Sequence, residues 1–149
     1  MILENGIQLY HASYTIVKKI DLTLCSSGKD FGKGFYLTTD LEQAKRFLKT
    51  AISKAIKNNI ADIKPDTGYI SIYNFNTEVI KKLNVYEFKS ADTRWLHCVA
   101  AHRKAGILKD ELKKWINYDI IAGKIANDTT NQILTTYING LYGAIGSEE

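Results

Sequence analysis

Apolar residues along this chain recur with two different periods. After Asp40, Leu41, Ala44, Phe47, Leu48, Ala51, Ile52, Ala55 and Ile56 follow a 3.6-residue spacing, which predicts an amphipathic helix ended by Asn58-Asn59. Asp40 stands where a side chain caps the first free N–H groups, and Gln43, three residues on, completes a capping box. A second helix is expected after Ser90 or Asp92, with Trp95, Leu96, Val99 and Ala100 on one face and Gly106 closing it. A short helical turn is expected over Glu111 to Trp115. A last helix begins at Asp128 or Thr129, the latter paired with Gln132 in a second capping box, and turns Ile133, Leu134, Tyr137, Ile138 and Leu141 inward.

Period-two segments lie between these helices. Ile7 to His11 alternates weakly, and Gly34 to Thr38 is a short apolar run entered from glycines. After the turn signal Lys64-Pro65-Asp66-Thr67-Gly68, Tyr69 to Phe75 alternates an aromatic set with Ile70 and Ile72. Asn84 to Phe88 is expected to be its partner, and Tyr118 to Gly123 reads as one more strand. The order β-β-α-β-β-α-β-α predicts a mixed α+β fold and argues against a doubly wound parallel sheet. No repeat, low-complexity tract or linker divides the sequence, so residues 1–149 are expected to form one domain.

Between the first two expected strands lies Gly28-Lys29-Asp30-Phe31-Gly32-Lys33-Gly34. Its glycines allow positive φ or close approach of a ligand to the backbone. A phosphate loop requires four residues between its glycines and a hydroxyl after the lysine; here three residues separate Gly28 from Gly32, and Gly34 follows Lys33. A dinucleotide fingerprint also fails, because the third glycine is missing and the loop opens a strand rather than a helix. Two readings stay open on the loop alone: a ligand-shaping wall and an ordinary hairpin or bulge.

Composition narrows the class. Hydrophobic content of 45% with 24% charged residues is that of a globular chain. No run reaches the roughly 18 apolar residues of a membrane span, and the first residues lack the basic start and apolar core of a signal peptide. Cys25 and Cys98, far apart in sequence, suit a reducing compartment, so a cytoplasmic location is expected. The formal net charge is +4. Lys45, Lys49, Lys54 and Lys57 fall on the polar side of the first helix, where a solvated face is the plainer account and a nucleic-acid footprint the alternative. His97, Cys98 and His102 invite a metal reading, but a five-residue spacing of the histidines puts their rings on different faces. Arg103, near a helix end, is expected to form a salt bridge.

Leu9-Tyr10-His11-Ala12-Ser13, Asp30-Phe31-Gly32-Lys33-Gly34-Phe35-Tyr36-Leu37-Thr38-Thr39-Asp40 with Gln43-Ala44, Trp95-Leu96, Tyr118-Asp119-Ile120-Ile121-Ala122-Gly123 and Ala126-Asn127-Asp128 occur in that order. This series resembles the DUF3990 family, which looks like a branch of the ADP-ribosyltransferase superfamily of the His-Tyr-Glu type. The resemblance implies a mostly antiparallel split sheet with helices packed outside and an NAD+ cleft between two small sheets. It implies that His11 hydrogen-bonds the ribose and nicotinamide region and that Tyr36 stacks on the nicotinamide. Ala12, Ser13 and the loop from Asp30 through Phe31, Gly32 and Lys33 to Gly34 would line the NAD+ site. Such chemistry needs a held ribose, a flat surface for the departing ring and an electron-rich group beside an oxocarbenium-like centre. The third group, Glu or a substitute such as Gln, belongs on a late strand that is not recognisable before Glu149. Three accounts stay open: a truncated chain, a role taken by Asp128 or Glu148, or binding without catalysis. The family context further implies a toxin or phage-defence effector with an antitoxin partner and a protein or nucleic-acid acceptor.

Overall fold

The computed structural model describes residues 3–125 together with Leu134, Tyr137 and Asn139. The chain gathers into two compact units: one contains Leu3–Leu22 and Phe35–Val79, the other Thr23–Gly34 and the chain from Ile80 onward. Each holds a two-stranded sheet and helices, so the mixed α+β class expected from the order of periods is the class observed.

In the first unit β1 (Gln8–Ser13) pairs antiparallel with β2 (Tyr69–Asn74) over their full lengths, from Gln8 opposite Asn74 to Ser13 opposite Tyr69. The Lys64-to-Gly68 turn closes with Thr67 N–H donating to Lys64 O at 3.2 Å and leads directly into β2. α1 (Leu41–Lys57) lies against this pair, with Ala44 and Ala55 buried at the seam and Leu48 and Ile52 half-buried beside them. Gly68 is needed at that seam. A Cβ there would sit 2.7 Å from Leu48 Cδ2 and 3.2 Å from Ile52 Cδ1, so a side chain would force these two to repack. Leu9, Ala12 and Phe75 complete the small core of this unit.

α1 starts and stops as its residues dictate. Asp40 accepts from the N–H groups of Glu42 and Gln43 at 2.9 and 3.2 Å. The reciprocal half of the expected capping box is replaced by a relay: Gln43 Oε1 accepts from Thr38 Oγ1 at 2.5 Å, and Thr38 Oγ1 accepts from Asp40 N–H at 3.1 Å. Asn58 caps the other end through its backbone N–H to Lys54 O. A short helix unforeseen from the sequence, α2 (Thr77–Ile80), follows β2.

The second unit holds β3 (Val85–Glu87), α3 (Thr93–Arg103), α4 (Lys109–Trp115) and β4 (Ile120–Ala122). Asp92 caps α3 by accepting from Trp95 N–H at 2.9 Å, resolving the choice between Ser90 and Asp92. Trp95, Cys98, Val99, Phe88, Trp115 and Leu134 form the core, with Tyr86 packed edge-on against both Trp115 and Tyr118. Leu134 and Tyr137 are helical and buried, as the last helical period requires, whereas Asp128, Thr129 and Gln132 lie outside the described residues.

Two expectations are corrected. Asn84 to Phe88 is not the partner of the Tyr69 strand: β3 pairs in parallel with β4, Val85 opposite Ile120. The roughly thirty residues between them, carrying α3 and α4, return the chain to the same end, as a parallel pair requires. Gly34 to Thr38 is not a strand. It touches β1 through a single antiparallel bridge, Tyr10 with Thr38, whose backbone groups exchange bonds of 2.8 and 3.0 Å. The Tyr36 carbonyl that would have continued the ladder accepts from the His11 side chain instead.

Removing the α1 cap gives a stability test. Asp40→Ala is expected to lower unfolding stability by about 1 kcal/mol, read as a lower urea midpoint, with Asp40→Asn recovering most of it.

Candidate functional site

The sequence-predicted site residues divide between the two units, His11, Ala12, Ser13 and Tyr36 in one and Asp30, Phe31, Gly32, Lys33 and Gly34 in the other. His11 sits in the middle of β1, opposite Ser71. Strand alternation puts it on the sheet face shared with Leu9 and Ser13. Its Nδ1–H donates to Tyr36 O at 2.8 Å, which places a proton on Nδ1. Phe35 stacks on the imidazole with centroids 4.0 Å apart and planes 28° from parallel, and Tyr73 meets Phe35 edge-on at 5.9 Å. His11 and Tyr36 are both half-buried. The two residues that the resemblance places together, 25 positions apart in sequence, are thus neighbours.

Ala12 and Ser13 are buried, and Ser13 Oγ accepts from Thr15 N–H at 3.3 Å. The chain beyond Ser13 is tied back to β2: Val17 N–H donates to Ser71 Oγ at 3.1 Å, and the Tyr73 hydroxyl donates to Val17 O at 2.5 Å. Two shallow recesses border this segment. One, of about 270 Å³, is lined by Tyr14, Thr15, Ile16, Asp62, Lys64 and Tyr69 among others; the second, of about 510 Å³, runs along Ile16 to Lys18 and β2. Neither recess is lined by His11 or Tyr36.

In the other unit the glycine loop is fastened to the end of α3. The buried Asp30 carboxylate accepts from Arg103 Nε at 2.6 Å and is also bound by Nη2. The salt bridge expected of Arg103 is therefore present, and its partner is a residue that the resemblance assigns to the NAD+ site. Phe31 stacks on Phe88 at 6.0 Å. Gly32 has φ of +84°, and a Cβ there would lie 2.6 Å from His102 Cδ2. Glycine is required at this position twice over, by its conformation and by the imidazole against it. Lys33 is exposed and Gly34 half-buried.

His102 and Cys98 occupy the same turn of α3. His102 Nδ1–H donates to Cys98 O at 2.8 Å, with Cys98 Sγ 3.6 Å from the same nitrogen. Burial lowers the His102 pKa, and the hydrogen bond to Cys98 O opposes this only in part. Burial also pushes the Cys98 thiol up to about 12, with the nearby Glu111 charge adding to the shift. That thiol is inert as a nucleophile at neutral pH. Glu111 moves the other way. Burial resists its ionisation, but hydrogen bonds from Lys114 and Trp115, with the charges of Lys114 and His97, hold its carboxyl below the ordinary value. Among the described residues no three His, Cys, Asp or Glu side chains are grouped to hold a metal ion. Asp128 and Glu148, the candidates for the third catalytic role, lie outside the described residues.

A family model matches residues 7–146 and carries the description "Protein of unknown function (DUF3990)". The chain belongs to the DUF3990 family. No curated protein and no solved structure matches it. Within this DUF3990 chain, Phe35 is the ring that sequence reading passed over: alternation set it opposite Tyr36, and nothing in its spacing marks His11 as its stacking partner. Tyr73 was legible only as one of the aromatic set on its strand.

Two measurements follow from these contacts. Arg103→Ala leaves the buried Asp30 carboxylate without its guanidinium and is expected to destabilise the protein by about 3 kcal/mol, read by urea unfolding. Acid should also weaken the fold through His102. Because its folded pKa is depressed, its contribution is full above its ordinary value of 6.5 and is lost as pH falls below it. The urea midpoint should therefore drop between pH 7 and pH 5 in the native protein and change less in His102→Gln. Glu111 contributes in the same sense only below about 4.5.

Proposed function

We propose that this DUF3990 protein is an ADP-ribosyltransferase that uses NAD+ as donor, with His11 and Tyr36 at the reacting end of the nucleotide. The observation that carries this reading is the 2.8 Å bond from His11 Nδ1 to the Tyr36 carbonyl, which sets the two residues side by side. With Nδ1 donating to backbone, Nε2 is the ring nitrogen that would face a ribose hydroxyl. Phe35 behind the ring holds its plane. Tyr36 supplies an aromatic surface of the kind a departing nicotinamide requires. Rupture of the glycosidic bond sends its electron pair to the nicotinamide ring and leaves positive charge on the ribose, to be attacked by an acceptor nucleophile that gives up a proton. Histidine contributes here by orientation, and tyrosine by stacking and by excluding water. The acceptor is a macromolecule, protein or nucleic acid, and an antitoxin partner would restrain the activity.

Titration calorimetry with NAD+ tests the assignment. The native protein should bind, and His11→Ala and Tyr36→Ala should each weaken binding at least tenfold, about 1.4 kcal/mol. Unchanged affinity in both variants sinks the reading. Transfer of labelled ADP-ribose to a lysate separates an active transferase from a module that only binds the nucleotide.

A further inference from the structure

We propose that the outward face of α1 is a binding surface for the phosphate backbone of a nucleic acid. Five of the chain's twenty Lys and Arg residues lie on this helix (Lys45, Arg46, Lys49, Lys54 and Lys57), with a single acid, Glu42. The other residues therefore balance at fifteen cations and fifteen acids, and α1 alone accounts for the net charge of +4. The acids nearest its start are engaged: Glu42 pairs with Lys45 at 2.6 Å, and Asp40 caps the helix while approaching Arg46 at 3.8 Å. From Arg46 to the end of α1 there is no acidic residue, and among the described residues neither Lys49 nor Lys57 has an ion-pair partner.

Arrangement points to the ligand class. Arg46, Thr50, Ser53 and Lys57 recur at helical spacing and are all exposed, so they form one ridge about 16 Å long. Two cations flanking two hydroxyls are a donor set that phosphodiester oxygens accept from. Beside the ridge Lys54 Nζ sits 5.7 Å from the centre of the Phe47 ring, which is 49% exposed and offers a surface on which a base can stack. An anionic membrane fits less well. A helix that lies in a bilayer surface turns its apolar face to the lipid, whereas here that face, with Ala44 and Ala55 buried, is spent on the sheet. The surface lies outside the residues assigned to NAD+, so its test is independent of that reading.

Fluorescence anisotropy with a labelled single strand and a labelled duplex, each of about 20 nucleotides at about 50 mM salt, decides it. The native protein should bind, with affinity falling steeply as salt rises. The triple variant Arg46→Gln, Lys49→Gln, Lys57→Gln should bind at least tenfold more weakly, and the slope of log affinity against log salt should fall by roughly 2–3. A control, Lys82→Gln, Lys89→Gln, Lys124→Gln, removes the same charge from exposed positions elsewhere and should stay within about twofold of native. Far-UV circular dichroism checks that both triples keep their helices. Failure of the native protein to bind, equal weakening by the two triples, or binding to phosphatidylglycerol vesicles without binding to either oligonucleotide would overturn the proposal.

Discussion

One hydrogen bond shapes the unit that carries His11. By donating to the Tyr36 carbonyl, the imidazole takes an acceptor that a third strand would have used, and the backbone of the segment after the glycine loop pairs with β1 at the Tyr10–Thr38 bridge. The same bond places a proton on Nδ1 and draws Phe35 onto the ring face. A side chain has displaced a main-chain ladder here. The cost is a short sheet. The return is an imidazole anchored to backbone through Nδ1 and backed by the Phe35 ring, the kind of support an orienting group needs.

The glycine loop illustrates how one residue type serves two ends. Positive φ at Gly32 was legible as a possibility from sequence, but its cause was not: the space a Cβ would fill belongs to His102. With Asp30 bound to Arg103 one residue further along α3, the loop is secured at two adjacent points on the same helix end. Any ligand approaching this loop would meet a structure already held, with Lys33 as its exposed cation. Asp30 is committed to structure first, because a buried carboxylate without its guanidinium would be strongly unfavourable.

Local signals carried most of the elements. The 3.6-residue period and the Asp40 and Asp92 caps locate α1 and α3 because their information lies within one or two turns of the helix itself. Pairing was less legible. Val85–Glu87 and Ile120–Ala122 are three residues each, too short for alternation to name a partner, and their parallel register depends on how α3 and α4 pack. Gly34 to Thr38 has the composition of a strand, yet a side chain 25 residues earlier decides its fate. Around His11, the contact with the Tyr36 carbonyl and the stacking on Phe35 join residues more than twenty positions apart, and neither leaves a mark in spacing.

Charge placement on α1 follows a different logic from charge placement elsewhere. Lys113 and Lys114 on α4 each sit three residues after an acid that they pair with, the ordinary way a surface helix settles its charge. On α1 only Lys45 is settled in this manner. Lys54 and Lys57 complement the carbonyl end of the helix dipole, which accounts for two cations in the last turn. It does not reach Arg46 and Lys49, which stand beyond the first turn of α1 and before the last. Arg46 has the capping Asp40 at 3.8 Å, whereas Lys49 has no acid paired with it among the described residues; the ridge from Arg46 through Thr50 and Ser53 to Lys57 suits an extended anion outside the chain.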